Sequence, residues 1–337
     1  MIMGVIDSSL RRASGSLFGL AYGDALGRPT EFLTVAEIHR RYGPSGPREL
    51  EGDPALVTDD TQMALAVGWA LHDAPAFTPE AVEPLLRERF LAWSVSPDNN
   101  RAPGMTCLRA CAELSRGVRW QEATVAGSKG CGANMRVTPI GLLPVDLDTL
   151  AGLAQLQAGL THGHPTGLAA SELTAYAVRL LRDGAVLAEL PALLAERARG
   201  QRRVYRADWL GDLWQRPGVD SPEDFIARGW DECLAVLGRL NTTLTRPDDG
   251  GDPCRRTGEG WVAEEALATA LLCALWHADD PVGALARGAT TAGDSDSIAA
   301  LAGAFVGAAH GLSAWPRAWS TRIEYADQLT TLATPHD

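Results

Sequence analysis

Apolar residues recur along most of this chain with the three-to-four-residue spacing of helices, and few stretches alternate as a half-buried strand would. Two runs set the pattern. Residues 15–27 read Gly-Ser-Leu-Phe-Gly-Leu-Ala-Tyr-Gly-Asp-Ala-Leu-Gly, with glycine at 15, 19, 23 and 27. Every fourth residue returns to nearly the same helix face, so these glycines form a smooth strip. The apolar run from Ile298 to Leu312 carries a second ladder, Gly303, Gly307 and Gly311. Each interior glycine costs a helix about 1 kcal/mol relative to alanine. Close approach of a neighbouring helix backbone would compensate, so both ladders predict tight helix packing.

Further helices follow from the same periodicity. One starts at Thr58 or Asp59 and carries Met63, Ala66, Val67, Ala70 and Leu71 on one face. Others are expected over 81–93, 148–160, 167–183, 186–199, 261–277, 281–288 and 297–312. Pro29 should stop the first helix, leaving Glu31 just beyond its end. Residues 43–57, 96–104, 127–136 and 246–260 read as loops, and 200–260 as mixed. With no internal repeat, the 337 residues are expected to form one all-α domain spanning 1–337.

Composition narrows the class. Hydrophobic residues make up 46% of the chain, dominated by Ala and Leu, which suffices for a sizeable core. The net charge of −12, without a basic run, argues against nucleic acid or an anionic membrane as partner. The six cysteines form no C-x-x-C pair, so neither zinc nor a disulfide framework is indicated. The most apolar stretches are too short to span a bilayer and no signal-peptide pattern opens the chain, so a soluble cytoplasmic protein is expected.

Two acidic clusters carry the candidate chemistry. Thr58-Asp59-Asp60-Thr61 and Gly293-Asp294-Ser295-Asp296-Ser297 each precede an apolar helical run. Both are good N-caps, complementing the helix dipole. Taken together they also offer oxygen ligands of the kind hard cations such as Mg²⁺, Ca²⁺ or Mn²⁺ prefer. Both readings stand at this level. The loop Gly127-Ser128-Lys129-Gly130-Cys131-Gly132-Ala133-Asn134-Met135-Arg136 is rich in glycine, whose freed amides can cradle phosphate, but it matches no nucleotide fingerprint. His162 and His164 lack the partners of a zinc set, and His162 reads as a substrate contact. Cys131 has no histidine that the sequence pairs with it, so a thiol nucleophile is not expected.

These pieces, in this order, resemble the ADP-ribosylglycohydrolase family, which includes the dinitrogenase reductase-activating glycohydrolases. Gly19-x-x-x-Gly23-Asp24-Ala25-Leu26-Gly27 with Glu31-Phe32 looks like its opening helix and following glutamate. Thr58-Asp59-Asp60-Thr61 looks like its first metal motif, and Ala292-Gly293-Asp294-Ser295-Asp296-Ser297 its second. Gly130-Cys131-Gly132-Ala133-Asn134-Met135-Arg136 with Pro139 looks like its ribose- and phosphate-facing loop. The resemblance spans about residues 13–313.

The resemblance implies an all-α fold with two divalent cations, Mg²⁺ or Mn²⁺, at the floor of a cleft. Thr58, Asp59, Asp60, Asp294, Asp296 and Ser297 would be their ligands. Glu31 would approach the metals and the scissile ribose, and Glu31, Asp59 and Asp60 are the candidates for activating water. Asp98, Ser128, Gly130, Cys131, Gly132, Ala133, Asn134, Met135 and His162 would hold the distal ribose and diphosphate. Serine stands at 295 and 297 where threonine is common, which keeps the hydroxyl, and Cys131 replaces a commonly polar residue. The implied activity is hydrolysis of the glycosidic bond between ADP-ribose and an acceptor. A protein that binds ADP-ribose without turnover and a di-metal phosphohydrolase cutting the diphosphate are the alternatives.

Overall fold

The computed structural model describes residues 10–337. Its first half contains α1 (Arg12–Gly27), α2 (Val35–Tyr42), α3 (Asp59–Asp73), α4 (Pro79–Ser94), α5 (Met105–Leu114), α6 (Trp120–Ala123), α7 (Thr138–Gly141) and α8 (Leu147–Gly159). There follow α9 (Pro165–Arg182), α10 (Leu190–Gln201), α11 (Ala207–Leu210), α12 (Pro222–Leu244) and α13 (Cys254–Thr257). The chain closes with α14 (Ala263–Trp276), α15 (Pro281–Gly288), α16 (Ser295–His310) and α17 (Ala326–Ala333). Strand-like pairing among the described residues is limited to isolated bridges such as Gly130–Val262. The fold is all-α.

Its axis is the antiparallel pair α1 and α16. Both are buried almost end to end, so neither shows the one-sided polarity of a surface helix. The two glycine ladders face each other. A Cβ on Gly15 would overlap the Gly307 carbonyl, one on Gly19 the Gly303 carbonyl, and one on Gly23 the Ala299 carbonyl. In return, a Cβ on Gly303 or Gly307 would overlap the carbonyls of Gly19 or Gly15. Backbone therefore lies on backbone along the whole interface, and the helix-propensity cost of these glycines is offset by packing at interior density. At the far end Trp315 donates its indole N–H to the Gly15 carbonyl (2.9 Å), and Tyr22 meets Trp315 and Trp319 edge to face.

The helices expected from periodicity are present within a few residues, and α1 stops at Gly27 ahead of Pro29. The predicted 186–199 helix begins later, at Leu190, after a 3₁₀ turn at Leu187–Glu189. The 23-residue α12 lies where the sequence read only as mixed. Its signals are local and correct: Ser221 caps it, Pro222 occupies its first turn, and Phe225, Ile226, Trp230, Cys233, Val236, Leu237 and Leu240 are buried. Periodicity does not mark the short α2, α5 and α17 either. No helix among the described residues is long and apolar enough to cross a membrane.

Candidate functional site

The register of α1 against α16 fixes where the chemistry sits. A Cβ on Gly27 would overlap the backbone of Ser295 and Asp296, so the end of α1 abuts the start of α16. Ser295 closes this junction: its hydroxyl bonds the Gly27 carbonyl (3.2 Å) and Thr30 Oγ1 (3.0 Å). The start of α3 is drawn to the same point by Asp24. That buried carboxylate accepts from Thr58 N–H (2.9 Å), Thr61 N–H (3.1 Å) and Thr61 Oγ1 (2.5 Å). Asp59 is held from the other side by the Gly104 amide (3.0 Å), which belongs to the 96–104 loop. Four chain segments far apart in sequence thus converge.

Carboxylates crowd this junction. Oxygens of Glu31, Asp294 and Asp296 lie within 4.8 Å of one another. The side chains of Thr58 and Ser297 are within hydrogen-bond reach of Asp296 and Asp294 respectively. Asp59, Asp60, Asp294 and Asp296 are all buried. Burial, then the charge of Asp296, pushes Asp24 up to about 7. Burial chiefly raises Asp59 to about 7, and burial with Asp296, Asp59 and Asp24 raises Glu31 to about 9. Asp60, Asp294 and Asp296 are shifted upward too, again chiefly by burial.

The capping reading of the two clusters separates here. Thr58 does cap α3, accepting from Asp60 N–H (3.3 Å). Asp294 occupies the N-cap position of α16 but makes no capping hydrogen bond. Asp60 Oδ1 is buried without any hydrogen-bond partner. Buried polar atoms are ordinarily satisfied, and carboxylates confined together are ordinarily paired with cations. An oxygen-only donor set with an orphaned oxygen and mutual repulsion fits a hard divalent cation.

The glycine loop also reaches this junction, laid along residues 261–264. Cys131 N–H donates to the Trp261 carbonyl (3.0 Å), and Asn134 Nδ2 to the Ala263 carbonyl (2.9 Å). Burial, with the charges of Asp294 and Asp60, raises the Cys131 thiol, in keeping with its place beside the carboxylates. Ala133, Asn134 and Met135 turn into the core. The amides of Cys131, Ala133, Asn134 and Met135 already bond within the protein, which narrows what this loop can offer to phosphate. Gly130 and Gly132 instead lie against the His162 ring, and Ser128 Oγ meets Thr106 Oγ1 (3.0 Å). Asp98 is exposed on its loop, where its carboxylate accepts from Tyr325 Oη (3.0 Å) and its carbonyl from Gln62 Nε2 (3.1 Å).

Asp24, which the motifs alone leave without a role, organises the α1–α3 contact. Its signal was visible: one carboxylate in a helix otherwise apolar and glycine-lined, where charged residues seldom lie unpaired. An exposed stack of Phe32 on Trp261 (6.3 Å between ring centres, 15° apart) also borders Glu31 and the glycine loop.

Comparison with known proteins bears on this arrangement. ADP-ribosyl-dinitrogen reductase glycohydrolase of Rhodospirillum rubrum is 36% identical over 167 residues, 47% of this chain and 54% of that protein. In that alignment the chain spans about half the length of its relative. ADP-ribosylhydrolase ARH3 of Homo sapiens is 28% identical over 355 residues, covering 96% of this chain and 92% of its own. A solved structure described as an ADP-ribosylglycohydrolase-related protein complex has the same fold, with a TM-score of 0.71 at 24% identity, covering 97% and 98% of the two chains. The family model described as ADP-ribosylglycohydrolase matches residues 6–335, nearly the full extent of the helical core built on α1 and α16, and the chain belongs to that family.

Proposed function

We propose that this protein is a metal-dependent hydrolase that cleaves the glycosidic bond between ADP-ribose and an acceptor. The observation that carries the reading is the meeting of Glu31, Asp294 and Asp296 within 4.8 Å, at a junction where burial raises all three carboxyls and neighbouring carboxylates add to the shift of Glu31 and Asp294. Family membership supplies the ADP-ribosyl substrate class.

Thr58, Asp59, Asp60, Asp294, Asp296 and Ser297 would hold two divalent cations, Mg²⁺ or Mn²⁺. When bound, such cations supply Lewis acidity toward ribose hydroxyls and water. The protein's own part is positional and electrostatic. Asp24 and the Gly104 amide fix Asp60's helix and Asp59, so the ligand oxygens are set before substrate arrives. Glu31, half-buried at the edge, is the proton-holding group. Burial and the charges of Asp296, Asp59 and Asp24 favour the protonated form of its carboxyl, the form that can donate a proton. Positive charge growing at the anomeric carbon would be stabilised by the same ring of carboxylates.

The test is a calorimetric titration of chelator-stripped protein with Mn²⁺ or Mg²⁺ and then ADP-ribose, alongside Asp294→Ala and Asp296→Ala. Metal binding lost in both variants, and ADP-ribose binding that depends on metal, are the expected results. Wild-type affinities in both variants would return the acidic clusters to helix capping. Glu31→Gln, assayed for release of ADP-ribose from ADP-ribosylated acceptors, should bind but not turn over. A product pair of AMP and ribose phosphate would instead indicate diphosphate cleavage.

A further inference from the structure

Arg136 is completely buried. Its guanidinium lies over the Phe90 ring (4.3 Å) and donates to Gln157 Oε1 (2.7 Å), the Gln157 carbonyl (2.6 Å) and Thr161 Oγ1 (2.7 Å). Arginine can only donate, so Thr161 Oγ1 is the acceptor in the last of these. The Thr161 hydroxyl then has one proton left to place.

Its neighbours decide where that proton goes. His162 Nδ1 is 2.8 Å away, and the Ala158 carbonyl is 3.4 Å away. The Ala158 carbonyl already accepts the backbone N–H groups of His162 (2.8 Å) and Thr161 (3.2 Å), which occupy its two lone pairs. The Cys107 thiol beside them is a weak acceptor. The short contact to Nδ1 is the remaining good one, and it requires an unprotonated Nδ1. A neutral imidazole accepting at Nδ1 carries its hydrogen on Nε2.

The Nε2 edge faces the glycine loop. A Cβ on Gly130 would stand 3.2 Å from Nε2, and one on Gly132 would stand 3.3 Å from it. A side chain at either position would crowd this edge. Burial and the Arg136 charge both disfavour protonation of the ring.

We infer that Arg136, acting through Thr161, holds His162 as the neutral Nε2–H tautomer, so that the ring offers a hydrogen-bond donor along the glycine loop to an acceptor oxygen of the bound ligand. Arg136 and Thr161 are positioning residues; His162 makes the contact. The identity of that ligand rests on the reading of the cleft as an ADP-ribose site, whereas the tautomer does not.

The experiment is a long-range proton–nitrogen correlation spectrum of the full chain labelled with ¹⁵N-histidine. His162 is assigned by loss of its signals in His162→Gln. The expected pattern is a protonated Nε2 and a bare Nδ1, unchanged between about pH 6 and pH 8, where a free imidazole would titrate. A protonated Nδ1, or a doubly protonated ring at the lower pH, would overturn the inference. Thr161→Val should mix the tautomers and weaken ADP-ribose binding about tenfold, the loss expected for one hydrogen bond, while Thr161→Ser restores both. An unchanged tautomer in Thr161→Val would remove the relay. The expected tautomer in a protein that fails to bind ADP-ribose would leave the relay standing and remove the proposed function.

Discussion

Gly23→Ala tests whether the α1–α16 pair is held by backbone contact. In an unconstrained helix interior the change stabilises by about 1 kcal/mol. At Gly23 the new methyl would overlap the carbonyl oxygen and carbon of Ala299 and the amide nitrogen of Ala300. None of these atoms can rotate away, so the helices must separate and the ladder must open over neighbouring turns. Overpacking of this kind costs about 3 kcal/mol at the upper end of its usual range. Subtracting the propensity gain leaves a net loss of about 2 kcal/mol, a large share of the 5–15 kcal/mol that holds a typical domain. Gly238→Ala is the control, since Gly238 lies within α12 with nothing within 4 Å of its would-be Cβ. It should gain up to about 1 kcal/mol. Urea unfolding followed by far-ultraviolet circular dichroism reads both signs in one series. A Gly23→Ala midpoint at or above wild type, or equal losses in both variants, would refute the argument.

Three further expectations follow from the site. Ser295→Ala should lower the unfolding midpoint but leave Mn²⁺ affinity nearly intact, because Ser295 bonds Gly27 and Thr30; Ser297→Ala should do the reverse, and calorimetry beside denaturation separates them. Asp24→Asn should weaken Mn²⁺ binding about tenfold or more, the usual effect of removing a group that orients ligands, because one amide oxygen cannot accept all the bonds from Thr58 and Thr61; unchanged affinity would deny Asp24 that role. Metal-free protein should lose stability as pH rises from about 4, where unfolded carboxyls ionise, through about 7, the folded value of Asp24 and Asp59. The folded state binds more protons across that window, so the slope is negative; Glu31 extends it toward 9, and a melting temperature that rises through the window in chelator would contradict it.

The sequence made the glycine strips legible because a four-residue period is a property of one helix alone. Their mutual contact was not legible, since pairing Gly19 with Gly303 needs knowledge of which helix lies where. The acidic clusters could be found as motifs, but their double meaning as caps or ligands could not be divided without the bonds that Thr58 makes and Asp294 does not. The glycine loop shows the opposite failing. Its amides looked available from composition, and tertiary partners on residues 261–264 use several of them. Asp24 stands out as the lone carboxylate of an apolar helix, but its partners are not legible, because the groups that donate to it lie more than thirty positions away.

The glycine ladders and the acidic cluster are parts of one physical arrangement. Burying carboxylates together is unfavourable, and any slack in the scaffold would let them move apart into water. Backbone packed on backbone removes that slack, because Gly27 cannot shift without moving Ser295 and Asp296. Both α3 and α16 direct their N-termini, the positive ends of their dipoles, at the cluster. That help is partial, since the carboxyls remain shifted upward despite it. The repulsion left over is held in place by the ladder instead of being relaxed, and it is the quantity a divalent cation would relieve. Stability lost by the metal-free protein and affinity for the cation are therefore coupled. Variants that loosen the ladder should reduce both together, whereas neutralising a single carboxylate should reduce affinity while making the metal-free protein more stable.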